Sequence, residues 1–252
     1  MSFELRASFV AVVLAFGGAR CAEAATDPRL VIHHDLWTSS TGRCTVDIEH
    51  ASVAGVPSGV KRRIDGILAK QMMDLSLTPE TSSRREAACT KETKERIAVD
   101  KRDSYHGFEH ADWTTGLARG RWLSVRFHYS EYSGAFQVHP ADYYRSTTFD
   151  LAHGGYPVPT IGFYVKAQRA HLADALTRAE IASLNAAVDR EAVHQLVSGA
   201  LIDDPDIIVT LDGIEVTGLG GDEATRNLIV KVPYSQLTGV GTPDGPLDPA
   251  TR

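Results

Sequence analysis

The chain predicts an α+β fold, an antiparallel β-sheet packed against helices in the order strand, helix, several strands, helix, two strands. Three observations carry this: apolar/polar alternation at Cys44–His50 and Trp122–Tyr132, helical periodicity in the segments between and after, and two final β-rich runs. With 252 residues and 43% apolar content the chain has enough material for a substantial core.

The first residues stand apart from that fold. Arg6 precedes an apolar run from Ala7 to Phe16, and Ala22-Glu23-Ala24 offers small residues where a signal peptidase cuts, so residues 1–24 read as a signal peptide cleaved near Ala24. The alternative, a retained anchor, fails on length, because a helix needs about 20 apolar residues to span a bilayer. Cys21 opens a second alternative, a lipidated cysteine, but Arg20 stands where the processing enzyme wants a small residue. A periplasmic or secreted location follows, with no membrane anchor in the mature chain. That chain retains Cys44 and Cys89, an even pair suited to one disulfide in an oxidising compartment; two unpaired buried thiols are the other reading. The formal charge of −6 disfavours nucleic acid, which needs clustered Lys and Arg. It would suit a cationic partner, or merely keep the protein soluble.

Residues 25–120 form an N-terminal strand–helix region. In CTVDIEH, Cys44, Val46 and Ile48 share one strand face. A helix follows, with Ser58 as its cap and Ile64, Ile67, Leu68 and Met72 as its apolar stripe, until Pro79 interrupts. The polar segment Thr81–Arg96 reads as a second helix, which a Cys44–Cys89 bridge would fasten to the first strand. Residues 121–238 form the C-terminal α+β region. Leu123, Val125, Phe127 and Tyr129 share one face of its first strand and Ser124, Arg126, His128 and Ser130 the other, the pattern of a sheet buried on one side. Ser133-Gly134-Ala135 makes the reversal into a strand carrying Tyr143, Arg145, Thr147 and Phe149 on one side. Gly154, Gly155, Pro157 and Pro159 mark a loop. Helical periodicity resumes near Lys166 and sharpens at Thr177, which with Glu180 forms a Thr-x-x-Glu capping box ahead of Ile181, Leu184, Val188, Leu196 and Val197. Strands at Ile207–Val216 and Leu228–Val232 close the region, and residues 239–252, poor in apolar groups, read as a flexible tail.

Specific residues carry a family resemblance. Leu123-Ser124-Val125, Tyr129-x-x-Tyr132 leading to Ser133-Gly134-Ala135, Thr148-Phe149-Asp150-Leu151 and Val232-Pro233-Tyr234-Ser235-Gln236-Leu237 resemble the RsiV-like ectodomain of anti-sigma factors and the accessory region of PdaC-type peptidoglycan deacetylases, a type of secreted bacterial domain of unknown function. The likeness runs from about Val46 to Leu237 and is strongest after Arg121. It implies an α+β domain outside the cytoplasmic membrane and, in the anti-sigma type, lysozyme binding. Where the family has a Gly-Gly-Ala-His turn, Ser133 replaces the first glycine and Phe136 stands at the histidine, with His139 three residues beyond. Neither a sigma-binding segment nor a deacetylase domain is read in this sequence, so a freestanding binding or sensor module is expected.

The candidate ligand-binding residues are Tyr132, Ser133, Gly134, Phe136, Tyr143, Pro233 and Tyr234, with lysozyme or peptidoglycan fragments as the partners. Tyrosines around a rigid loop bury much area at small entropic cost, but the aromatic set Tyr129, Tyr132, Phe136, Tyr143 and Tyr144 equally suits plain sheet faces.

Catalytic readings find less support. His106-Gly107-Phe108-Glu109-His110 matches a zinc-peptidase pattern, the basis of an alternative envelope-hydrolase reading, carboxylate-based in its other version. The zinc pair needs a helix, whereas Gly107 weakens one and Tyr105, Phe108 and Trp113 suit a strand. His33, His34, His128, His139 and His153 have no local spacing that forces two of them together. There is no G-x-S-x-G elbow, phosphate loop, C-x-x-C pair or dinucleotide fingerprint. We therefore assign no catalytic residue, no metal ligand and no cofactor from sequence.

Overall fold

The computed structural model describes residues 27–75, 81–100, 106–132, 140–184, 189–202, 205–219 and 228–251. The expected leader over residues 1–24, the break at Pro79, and Ser133, Gly134 and Phe136 lie outside them. The architecture is α+β, as the sequence predicts. A six-stranded sheet runs in the order β1 (Arg29–Thr38), β2 (Cys44–Ala54), β3 (Gly107–Arg119), β4 (Trp122–Tyr132), β5 (Ala141–Asp150) and β6 (Tyr156–Val158). Between β2 and β3 lie α1 (Ser58–Leu75) and α2 (Ser82–Asp100). This crossover returns the chain in the same direction, so β2 and β3 pair in parallel while every other neighbour in the sheet is antiparallel. The chain then forms α3 (Arg169–Leu184), α4 (Arg190–Ala200) and a three-stranded antiparallel sheet of β7 (Asp206–Val209), β8 (Gly213–Thr217) and β9 (Val230–Pro233). The expected regions 25–120 and 121–238 meet between β3 and β4, which are hydrogen-bonded neighbours, so both contribute to one sheet.

Two cores result. One lies between α1 and the large sheet, where Ile64 and Leu68 meet Val46, Ile48, Leu123, Val125, Phe127, Tyr129 and Phe149. The apolar alternation of β4 is thus fully used: Leu123, Val125 and Phe127 are each 0% exposed. The other lies between the small sheet and α3 and α4, with Leu172, Leu176 and Val197 packed on Ile207, Val209, Ile214 and Val230. The Cys44–Cys89 disulfide forms, with a Cα–Cα distance of 6.1 Å, and ties the start of β2 to α2.

Three expectations need correction. The polar face of β4 is not a solvent face along its first half, because the small sheet lies on it: Ser124 and Arg126 are buried, Val209 N–H donates to Ser124 Oγ (3.0 Å), and Arg126 donates to Asp206 Oδ2 and to Glu215 Oε2 (both 3.3 Å) and to the Glu215 carbonyl (3.0 Å). The Thr177–Glu180 pair caps nothing. Both residues lie inside α3, where the Thr177 hydroxyl donates back to the Ala173 carbonyl (2.8 Å), a habit of interior helical threonines. The cap lies instead at α4, where the Asp189 carboxylate accepts from Glu191 N–H (2.9 Å). Finally, residues 239–251 are packed rather than frayed. Val240 and Leu247 are buried, Val240 C=O accepts from Val165 N–H (2.8 Å), and Trp122 Nε1–H donates to Thr251 Oγ1 (3.0 Å).

Candidate functional site on the open sheet face

The small sheet covers only part of the large one. Asp206, at the start of β7, accepts from Ser146 on β5 and from Arg126 on β4. Past Arg126 the polar face of β4 emerges with His128, and strand alternation brings residues of five strands onto the same uncovered strip. In register, Asp112 of β3 lies opposite His128, and Tyr144 of β5 lies on the other side of it. His110 shares Asp112's face two residues earlier and is the parallel partner of Asp47 on β2.

The result is a ladder of alternating imidazoles and carboxylates. His128 Nε2 lies 3.0 Å from Asp142 Oδ1, and its Nδ1 lies 2.9 Å from Asp112 Oδ2. The same Asp112 oxygen is 3.0 Å from His110 Nε2, whose ring partner Nδ1 is 3.5 Å from Asp47 Oδ2. Asp47 in turn contacts His34 Nε2 on β1. Tyr144 stacks on the His128 ring with centroids 4.6 Å apart. The side chains are half-buried: 21% exposed for His128, 31% for Asp112 and 38% for His110. Burial disfavours the charged form of His128, but hydrogen bonds and charge from Asp112 and Asp142 outweigh it and raise its pKa. Burial likewise opposes ionisation of Asp112, and its two histidines overcome this and hold its pKa low.

An aromatic pair continues the same face. Phe108 and Tyr132 are cross-strand partners, their rings stacked at 5.7 Å. Tyr143 projects from the opposite face beside Tyr129 (centroids 6.1 Å) and is 44% exposed. There Tyr129 O–H donates to Glu131 Oε2 (3.2 Å), and the Glu109 carboxyl is pushed up to about 7 by burial and then by the charges of Glu131 and Glu92.

Of the residues read as a binding set, then, Tyr132 and Tyr143 lie on adjacent strands but on opposite faces. Pro233 ends β9, and Tyr234 donates to the Thr210 carbonyl (2.8 Å), just beyond the β7 residue that bonds Ser124; Tyr132 lies about 27 Å further along β4 from Ser124. The structure does not bring Pro233 and Tyr234 to the tyrosines. His106 precedes β3 and His110 lies within it, so the two are not on one helical turn and the peptidase pattern does not assemble. The His/Asp ladder escaped sequence reading. Its visible trace is His110-x-Asp112, a period-two spacing that places both groups on one strand face; which strands would complete it depends on sheet order.

No family model matches the chain, and no curated protein matches it. Solved structures do. A member of the DUF3298 family from Bacteroides fragilis superposes with a TM-score of 0.54 at 15% identity, covering 86% of this chain and 94% of that one. A DUF3298 family protein from Pseudomonas aeruginosa gives 0.52 at 12% identity, with coverage of 88% and 96%. Nearly the whole of each neighbour is matched, so this chain shares their fold.

Proposed function

We propose that the protein is a non-catalytic binding or sensor module of the bacterial cell envelope that recognises an envelope component or a lysozyme-like protein. The observation that carries this reading is the open face of the large sheet, where the Phe108–Tyr132 pair and the Tyr144–His128 stack flank a strip of carboxylates and imidazoles. Flat aromatic rings beside fixed hydrogen-bonding groups suit a glycan or a protein surface. Asp47, Asp112 and Asp142 favour a cationic one. The resemblance to RsiV-type ectodomains supports lysozyme as that partner. The disulfide, and the lack among the described residues of a helix long and apolar enough to cross a membrane, fit a periplasmic or secreted setting after removal of residues 1–24.

Calorimetric titration with purified lysozyme and with muropeptides tests this. Tyr132→Ala should weaken association with the true ligand class by about tenfold or more while the melting temperature stays within a few degrees, as expected for truncating an aromatic anchor. Binding to neither class would refute the proposal.

A further inference from the structure

The His/Asp ladder holds two imidazoles and three carboxylates in an order that hydrogen bonding by neutral rings leaves unbalanced. Each ring faces a carboxylate on both sides: His128 lies between Asp112 and Asp142, and His110 between Asp112 and Asp47. A carboxylate only accepts, and a neutral imidazole carries a single N–H. Two neutral rings therefore supply two donors for four nitrogen–carboxylate contacts. The two inner nitrogens, His110 Nε2 and His128 Nδ1, converge on one oxygen of Asp112, and these three ligand atoms lie within 4.8 Å of one another.

We propose that His110, Asp112 and His128 form a site for a divalent first-row transition metal of the zinc class. A cation seated among His110 Nε2, His128 Nδ1 and Asp112 Oδ2 takes the two inner lone pairs. The one N–H left on each ring then donates outward, from His128 to Asp142 and from His110 to Asp47. That is the carboxylate–histidine–metal arrangement that fixes tautomer and ring orientation in metal sites. Bonds of 2.0–2.2 Å to a tetrahedral ion set ligand atoms roughly 3.4 Å apart, so the two nitrogen–oxygen distances of 2.9 and 3.0 Å would open by about 0.4–0.5 Å, and the two nitrogens, which lie within 4.8 Å of each other, would close to the same spacing. Asp142 comes from β5 and Asp47 from β2, which holds the ligands from both flanks. Tyr144 stacked on His128 restricts its ring further. Two imidazoles and one carboxylate select zinc, cobalt, nickel or copper over calcium or magnesium, which prefer all-oxygen sites. Three protein ligands leave a fourth position directed to solvent. The site shares His110 with the His106/His110 peptidase pattern but takes its other ligands from Asp112 and from the neighbouring strand, and it stands whether or not an envelope ligand binds.

Titration of the chelator-treated protein with zinc, calcium and magnesium, followed by calorimetry and metal analysis, tests it. One equivalent of zinc should bind saturably, with no comparable uptake of calcium or magnesium. His110→Ala and His128→Ala should each lower zinc affinity about 100-fold or more, and Asp142→Asn, which removes only an outer partner, about 10–100-fold. His33→Ala, at an exposed histidine of β1, should leave it unchanged. Should either alanine variant fail to fold by circular dichroism, Asp142→Asn and the visible absorption of cobalt bound to the wild type decide. Tetrahedral cobalt bands that weaken in Asp142→Asn support the site. No saturable zinc binding, or zinc affinity unmoved by all three ladder substitutions, overturns it.

Discussion

Glu109 and Arg126 show two ways of burying a charge. Arg126 is only 3% exposed and is met by two carboxylates, a hydroxyl and a carbonyl, so its charge is compensated and it joins the two sheets. Glu109, desolvated by burial and with Glu131 and Glu92 as neighbours, holds its proton to about pH 7. Its ordinary value is 4.5, so between those limits the folded protein binds more protons than the unfolded chain. Its contribution to stability is therefore complete below about pH 4.5 and lost as pH rises through 7. His128, with its raised pKa, acts in the same direction above its ordinary 6.5. Glu109→Gln should remove Glu109's share alone, making the protein more stable at pH 8 by on the order of 1 kcal/mol after solvent screening and shrinking the pH 5 to pH 8 difference. Urea midpoints at the two pH values measure this, and an undiminished difference in the variant would show that Glu109 is ionised throughout. Alternation alone puts Arg126 on the second face of its strand; its partner Asp206, far along the chain, could be known only from the packing of a second sheet.

β4 and its neighbours show how far an element can be read from its own residues. Alternation defines which side chains share a face, and Leu123 through Tyr129 occupy the α1 core accordingly. Alternation carries no information on what covers the polar side. Ser124 and Arg126 look like solvent-facing residues, yet they bond polar atoms of the neighbouring strand and of a second sheet. Thr177-x-x-Glu180 misleads for a related reason: a local pattern has the same form at a helix start and inside one, and only the chain before Thr177 decides. The two sheets approach closely at Gly116, beside the irregular register between Thr115 and Ala118. A Cβ there would stand 2.3 Å from the Val209 carbonyl oxygen and 2.6 Å from Ile208 Cγ1. Backbone cannot yield as a side-chain tip can, so Gly116→Ala must push β7 off β3. A loss of about 1–3 kcal/mol is expected, the usual cost of overpacking. Chemical denaturation measures it, and a variant as stable as the wild type would mean that the sheets are not so closely packed at this point.

At the scale of the whole molecule, the parts that were legible are those whose signal is local or a matter of counting: the α+β class, the helices around Ile64 and Cys89, and the Cys44–Cys89 disulfide. The His/Asp ladder was not, because it needs β1 to β5 laid side by side, with a parallel β2–β3 pair that only the crossover imposes. The C-terminal segment was misjudged on composition, since its two large aliphatic residues, Val240 and Leu247, both go inward. Val240 and Leu247 are 0% and 4% exposed, Gly241 bridges to Tyr164, Thr242 N–H donates to the Phe163 carbonyl (3.1 Å), and Thr251 receives the indole N–H of the buried Trp122. The segment thus covers the end of the second core, over Phe163, Tyr164 and Trp122. Burying two such aliphatic side chains contributes roughly 3–6 kcal/mol, before counting the core aromatics that deletion would expose. Removal of residues 239–252 should therefore lower the melting temperature by about 10 °C or more, at roughly 2–4 °C per kcal/mol for a chain of this size. Leu247→Ala alone should account for about 2 kcal/mol or more of that. A truncated protein melting within about 2 °C of the full chain would mean that the segment adds nothing to the second core and that Trp122 is held by the sheets alone.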